Sequence, residues 1–150
     1  MRASDGQLNN MEIIRMKDKL GTRQLPTAEI LLKGSRATLV SEPGRGVKYI
    51  SNMLSVTRLY NAASSVTAIR RILALARDYS TKRIVGKKLL MDSPLHLSVL
   101  ADMEVIYRGN LLFYLKLSEL FSKFQAGTIS DPDSNILRMM IPLLKLFTAK

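Results

Sequence analysis

The sequence predicts a mainly α-helical fold, a partial four-helix bundle entered from a few short β-strands, and three observations carry that expectation. Between residues 47 and 124, apolar side chains recur at spacings of three and four. Before residue 43 the apolar runs are short and alternate with a period of two. The two regimes meet at Glu42-Pro43-Gly44-Arg45-Gly46, where two glycines and a proline in five residues end strands and permit a sharp entry into helix. The domains expected are therefore 1–43, the end of a β-domain, and 44–150, a helical bundle.

The strands come first. Glu12-Ile13-Ile14-Arg15-Met16-Lys17 and Thr27-Ala28-Glu29-Ile30-Leu31-Leu32-Lys33 are β-prone, and Ala28, Ile30 and Leu32 alternate with Glu29, Leu31 and Lys33 as in a half-buried strand. A third run, 37–40, follows the Gly34-Ser35 turn, and Gly21 and Pro26 punctuate the links. Three short strands bury too little to stand alone. They are expected to be the tail of a sheet whose other strands are missing.

Ile50, Met53 and Leu54 mark a first short helix. A long one follows, with Val56, Leu59, Tyr60, Ala63, Val66, Ile69, Leu73, Ala76 and Tyr79 as its apolar stripe. Ala62, Ser64, Ser65, Ala68 and Ala74 keep it slim enough for close helix approach. Its end is expected in the basic cluster before Gly86, a C-terminal stop. The next helix opens at Asp92-Ser93-Pro94, where either Asp92 or Ser93 can cap and Pro94 needs no N–H. Its apolar positions run from Val99 through Met103, Ile106, Tyr107, Leu111, Tyr114, Leu117 and Phe121 to Phe124. Residues 111–115 are apolar on every side, as in a helix buried within a bundle. Gln125-Ala126-Gly127 ends it. Ser130-Asp131-Pro132-Asp133 opens a last helix on Ile136, Leu137, Met140, Leu143, Leu144 and Phe147. Pro142 is expected to kink it at a cost of ~3 kcal/mol, and the helix reads as unfinished at Lys150.

Composition excludes several function classes. Apolar residues at 47% rule out wholesale disorder. The absence of Cys removes disulfide scaffolds, zinc-thiolate sites and thiol nucleophiles. No run approaches the roughly 20 apolar residues of a membrane span; residues 111–115 are hemmed by Arg108 and Lys116, and Met1-Arg2-Ala3-Ser4-Asp5 offers no secretory core. A soluble intracellular protein is expected, with the mitochondrion and the cytoplasm both compatible.

The net charge of +11 is concentrated in the middle third. Residues 1–45 hold eight Lys/Arg against five acids, 46–91 hold nine against Asp78 alone, and 92–150 hold six against six. Arg70, Arg71, Arg77, Lys82, Arg83, Lys87 and Lys88 fall within nineteen residues. Basic residues suit a helix C-terminus, but seven exceed what a cap requires. An anionic partner follows: the pyrophosphate of a cofactor, a coenzyme A or a nucleic-acid backbone. Only Tyr79 supplies an aromatic nearby, so the stretch does not specify nucleic acid.

Catalytic residue types are scarce. His96 is the only histidine and has no carboxylate or serine partner nearby in sequence, so it is read as structural. Asp131 and Asp133 flank Pro132 at a helix start and are read as caps rather than a metal pair. Asp102 and Glu104 lie two apart on a helix and face different ways. Gly44-Arg45-Gly46 lacks a phosphate-loop fingerprint, and Ser64-Ser65 lacks a nucleophile elbow. No catalytic constellation and no metal site are predicted.

Taken in order, the segments resemble the acyl-CoA dehydrogenase family, most closely its AidB-like branch. The residues that carry the resemblance are 16–23 with Pro26-Thr27-Ala28-Glu29-Ile30, then Glu42-Pro43-Gly44-Arg45-Gly46-Val47, Met53-Leu54 with Arg58, Ala74-Leu75-Ala76-Arg77-Asp78-Tyr79, 82–89 and Leu100-Ala101-Asp102-Met103. The resemblance implies the end of the family's middle β-domain and about half of its C-terminal helical domain. It implies, for a full-length parent, a flavoprotein of fatty acid metabolism: non-covalent FAD, α,β-dehydrogenation of acyl-CoA thioesters and assembly as a homo-oligomer. The family's acyl-CoA contacts fall on Ser55 to Arg58, with Ser55 and Arg58 the residues carried over. Its Arg-x-x-Phe-Gly motif, which contacts the FAD of a neighbouring subunit, falls on Lys82, Arg83, Ile84, Val85 and Gly86. Lys82 lacks the two-pronged donor and Val85 the ring; Arg83 is a candidate substitute. Pro94 stands where the family often has Gln, as in the AidB-like branch. The family's glutamate base would lie beyond Lys150, or at Thr57, which cannot abstract an α-proton at neutral pH.

Two readings of function follow. One is a fragment of an FAD-dependent acyl-CoA dehydrogenase-like oxidoreductase, without FAD binding or turnover by itself. The other is a non-enzymatic basic module that binds nucleic acid through Arg70, Arg71, Lys87 and Lys88.

Overall fold

The period-two runs pair with each other. In the computed structural model, which describes Gly6 and residues 9–149, strands β1 (Met11–Met16) and β2 (Ala28–Leu32) form an antiparallel ladder. The opening residues 1–5, considered above for a secretory signal, lie outside the described residues. Register slips between Ile13 and Arg15, so Ile14 is a bulge residue. Past it, Arg15 sits opposite Glu29 and donates two bonds to its carboxylate, at 2.8 and 2.9 Å. That guanidinium holds the Glu29 carboxyl below its usual range. Leu32 and Ile30 lie exposed, as do Ile13 and Met16, so the expected half-buried alternation is absent. The run 37–40 makes no ladder, and Leu39 and Val40 are open to solvent. A strand needs a neighbour for its N–H and C=O groups, and none among the described residues forms a ladder with it.

The two compact units are Met1–Gly46 and Val47–Lys150. In the second, α1 (Gly46–Ser80) runs unbroken where a short and a long helix were expected. No Gly or Pro interrupts residues 47–80, so helical propagation continues. The buried seam is narrower than the apolar stripe: Leu59, Ala62, Val66, Leu73 and Ser80, at spacings of three, four and seven. Tyr60 and Tyr79 face outward.

Helix α1 stops before the basic cluster's end, and Gly86 serves a different purpose from the expected stop. Strands β3 (Ile84–Val85) and β4 (Lys88–Leu89) form a hairpin with Ile84 opposite Leu89 and Val85 opposite Lys88. Its two-residue loop, Gly86-Lys87, has φ of +56° and +74°. Positive φ at both central residues matches a type I′ turn, whose twist suits a hairpin. A 3-10 turn, Leu90–Asp92, leads to α2 (Pro94–Gln125). Ser93 occupies the cap position without a side-chain cap bond, and Asp92 lies in the preceding turn. Helix α2 ends in a Schellman arrangement: Thr128 N–H donates to Lys123 C=O and Gly127, at φ +69°, donates to Phe124 C=O.

Helix α3 (Asp131–Thr148) is capped by Ser130 rather than by either aspartate. Ser130 Oγ accepts from the Asp133 N–H at 3.3 Å and donates to the Asp133 carboxylate at 2.9 Å. The helix continues through Pro142, which withholds one donor from the ladder. Three long helices among the described residues thus make up the expected partial bundle, the expected short first helix being the start of α1. They meet over Leu59 and Ala62 of α1, Leu117 and Leu120 of α2, and Leu137, Ile141 and Leu144 of α3. Residues 111–115 are not buried all round: Leu112 and Leu115 are exposed while Leu111, Phe113 and Tyr114 are half-buried. No helix among the described residues is long and apolar enough to cross a membrane.

Candidate functional site

Beside that core lies a cleft of about 480 Å³. Helix α1 contributes Lys48, Ser51, Asn52, Ser55 and Arg58, which recur at i, i+3, i+4, i+7 and i+10 and so share one face. Helix α3 contributes Ser134 and Arg138 by the same spacing of four. The apolar lining is Leu54, Phe121, Phe124, Leu137 and Ile141. The two phenylalanine rings are tilted, with centroids 6.3 Å apart.

Lys48, Arg58 and Arg138 bring three positive charges to this cleft, and no acid lines it. Among the described residues none of the three is in an ion pair. Ser55 Oγ donates to the Ser51 carbonyl at 3.3 Å and Ser51 Oγ to the Lys48 carbonyl at 2.7 Å. Their lone pairs remain available to accept from a ligand. Positive charge over an apolar lining suits an amphipathic anion. Thr57, exposed on α1, donates its hydroxyl to the Leu54 carbonyl at 2.9 Å and gains no basic character.

The structure brings Ser55 and Arg58 together and keeps them far from Lys82, Arg83, Ile84 and Val85. Arg58 and the end of α1 at Ser80 are separated by roughly 33 Å of helix at ~1.5 Å per residue. Lys82 pairs with Asp78 at 2.8 Å, so its charge is partly committed. Arg83 is anchored by its backbone, N–H to Tyr79 C=O and C=O from Leu90 N–H, while its side chain makes no ion pair among the described residues. Ile84 and Val85 are exposed. With Lys87 and Lys88 beside it, Arg83 suits a pyrophosphate, and the two apolar side chains offer contact without stacking. The hairpin therefore offers an anion a cationic surface led by Arg83 rather than by Lys82. Arg70 and Arg71 lie on exposed α1 surface, also outside any ion pair among the described residues.

Two features were not legible in the sequence. His96 does have a serine partner: its Nε2 lies 2.7 Å from Ser80 Oγ. Ser80 Oγ also bonds the Ala76 carbonyl at 2.6 Å, which uses its single hydrogen, so the imidazole must donate. Ser80 is then an acceptor, not an activated nucleophile. Nearby, Arg77 of α1 and Arg108 of α2 both hold the half-buried Glu104, the latter at 2.7 Å. The Arg108 bond, then the charge of Arg77, keep the Glu104 carboxyl below its ordinary value of 4.5, against a burial effect that raises it. Ser80–His96 and Arg77–Glu104 could not be found from spacing, because these partners meet only after the hairpin reverses the chain; Arg108–Glu104 is the ordinary i, i+4 pair of α2. The missed cleft residue Lys48 had a signal, the i, i+3, i+4 recurrence of polar side chains with Ser51 and Asn52 on one face of α1, whereas Arg138 had none before α3 was placed beside α1.

Comparisons with known proteins bear on this cleft. The family described as acyl-CoA dehydrogenase, C-terminal domain, matches residues 44–150. Acyl-CoA dehydrogenase family member 11 of Caenorhabditis elegans is 47% identical over 100% of this chain and 24% of its own length. The AidB protein of Escherichia coli is 29% identical over 79% of this chain and 22% of its own. A crystal structure of Caenorhabditis elegans ACDH-11 in complex with C11-CoA has a TM-score of 0.84 at 47% identity, covering 98% of this chain and 25% of that one. The chain thus spans about a quarter of the length of the relatives it matches.

Proposed function

The chain belongs to the acyl-CoA dehydrogenase family, and on that premise we propose that it forms the acyl-CoA-holding part of an FAD-dependent oxidoreductase that is inactive as these 150 residues alone. Residues 1–43 are then the end of the middle β-domain and 44–150 part of the C-terminal helical domain. One observation carries the reading: Ser55 and Arg58, which the family resemblance assigns to acyl-CoA, line a single cleft whose chemistry suits that ligand. Arg58 holds an anionic or carbonyl oxygen, and Ser55 orients the same end of the ligand by accepting a hydrogen bond. Phe121, Phe124 and Ile141 exclude water from the apolar part.

In the family, FAD supplies the two-electron acceptor for the Cα–Cβ bond. In this chain Arg83, with Lys87 and Lys88, would hold its pyrophosphate. Removal of the α-proton needs a base that Thr57 does not provide, so turnover requires a carboxylate from elsewhere. Direct titration with C11-CoA, the ligand of the nematode relative's structure, tests the reading. Saturable binding is expected, weakened about tenfold by Arg58→Ala as one charge-assisted hydrogen bond is lost. An absence of binding, or binding indifferent to Arg58, overturns it.

A second reading is supported by Arg70, Arg71, Arg83, Lys87 and Lys88, all exposed and unpaired among the described residues. It makes this end of the helical unit a polyanion surface. Duplex DNA should then bind with a steep loss on raising salt, and neutralising Arg70, Arg71, Lys87 and Lys88 should shallow that slope. Salt-insensitive retention would remove it.

A further inference from the structure

We propose that Arg138 of α3 and Arg58 of α1, with Lys48 at the cleft's edge, form a phosphate clamp that binds the nucleotide end of the acyl-CoA and sets the cleft's preference for CoA thioesters over shorter thioesters. The inference rests on the acyl-CoA reading above and assigns a binding role to α3, where the sequence pointed only to α1. Three like charges from two helices sharing one cleft repel each other, and no acid in the lining offsets them. Each could have been paired cheaply by one acidic neighbour, as Arg77, Lys82, Arg108, Lys116 and Lys123 are. The three cations that face the hollow are without an ion pair among the described residues, and they converge on one cleft from two helices.

The chemistry narrows the ligand. Two guanidinium groups present planar, two-pronged donors that match the paired oxygens of phosphate, whereas a thioester carbonyl has one oxygen and fills neither fork. Ser134, one turn before Arg138, adds a hydroxyl to the same wall. Phe121 and Phe124 continue the cleft as apolar surface, so the ligand must join a multiply charged end to an uncharged one. Coenzyme A thioesters have that form.

The clamp is tested by calorimetric titration of the full chain with C11-CoA, with the C11 thioester of pantetheine, which has no phosphate, and with inorganic pyrophosphate. Arg138→Gln should weaken C11-CoA by about tenfold, leave the pantetheine thioester unchanged, and weaken pyrophosphate. Arg138→Lys, which restores charge without the fork, should recover part of the loss. Unaltered helicity by circular dichroism excludes unfolding as the cause, and Arg138 is exposed enough to make that the expected result. If Arg138→Gln leaves C11-CoA binding intact, or weakens both thioesters equally, the clamp is overturned while the acyl-CoA reading survives. If pyrophosphate binds through Arg138 but neither thioester binds, Arg138 is a phosphate site only, and the clamp falls as an acyl-CoA device together with the acyl-CoA reading. If nothing binds, both fall.

Discussion

Helices α1 and α2 run antiparallel, and their two ends are joined by different forces. Where α1 begins and α2 ends, α3 covers the pair, and Leu59, Leu117, Leu120, Leu137, Ile141 and Leu144 are all nearly sealed from solvent. Where α1 ends and α2 begins, Ser80 meets His96 and Arg77 meets Glu104, while Ile72, Leu75, Tyr79, Leu95, Leu97 and Val99 remain exposed. The cleft with Ser55, Arg58 and Arg138 lies at the first end and the cationic hairpin at the second. The difference teaches that a binding wall built on close-packed apolar side chains is held in place before the ligand arrives. The hairpin is aligned mainly by polar contacts at the helix ends, so its position depends on whatever else covers those apolar faces.

The sharpest way to break the comparison is to empty the packed end. Leu117→Ala or Leu144→Ala should cost about 2–5 kcal/mol, read as a loss of thermal stability, because each removes a side chain exposed by no more than 2%. Ile84→Ala on the hairpin should change stability by roughly 0.5 kcal/mol or less. Equal effects at both sites would erase the distinction.

A smaller effect is expected from the polar tie. Ser80→Ala should cost about 1 kcal/mol, since His96 loses its acceptor in a partly buried setting. Chemical denaturation monitored by circular dichroism measures it, and a neutral substitution would make the contact incidental.

The carboxylate beside that tie gives the comparison a pH axis. Glu104 has a folded pKa below its ordinary 4.5, so its contribution is present above that value and is lost as pH falls through the depressed one. Glu104→Gln should therefore melt below the parent chain at pH 6, and the gap should close as pH drops under 4.5. At the packed end Glu119 is bracketed by Lys123 and Lys116, which lower its pKa to about 2. The gap for Glu119→Gln should persist further into acid and close between 4.5 and about 2. A pH-independent gap at Glu104 would contradict the linkage.

The slightest effect concerns the hairpin turn. Lys87 holds φ at +74°, a region that favours glycine. Lys87→Gly should stabilise by roughly 0.5 kcal/mol through relief of that conformation, seen as slower amide exchange at Val85 and Lys88, the pair that closes the turn. Faster exchange would mean that the Lys87 side chain contributes more than its backbone costs.

The sequence made some of this legible for identifiable reasons. Leu59, Val66, Leu73, Leu117, Leu137 and Leu144 follow a helical period long enough to survive any error in helix boundaries, and each is buried. Ser130 and Pro132 announce α3 because capping is local chemistry. What failed was non-local. Tyr60 and Tyr79 fit the apolar stripe but lie beyond the width that the packed helices cover. The run 37–40 has strand propensity and no ladder partner among the described residues. The 84–89 hairpin was hidden because Lys occupies a position where Gly or Asn would have signalled the turn. At the site, Ser55 and Arg58 came from family resemblance, whereas Arg138 required α3 to be folded back beside α1.

The central claim is that the ligand end of this unit is the apolar-packed end. Amide chemical-shift mapping of the isotopically labelled chain during titration with C11-CoA tests it most directly. The expected shifts cluster at Ser55, Arg58, Phe121, Ser134 and Arg138 and leave Ile84, Val85 and Lys88 unmoved. Shifts confined to the hairpin would contradict the account.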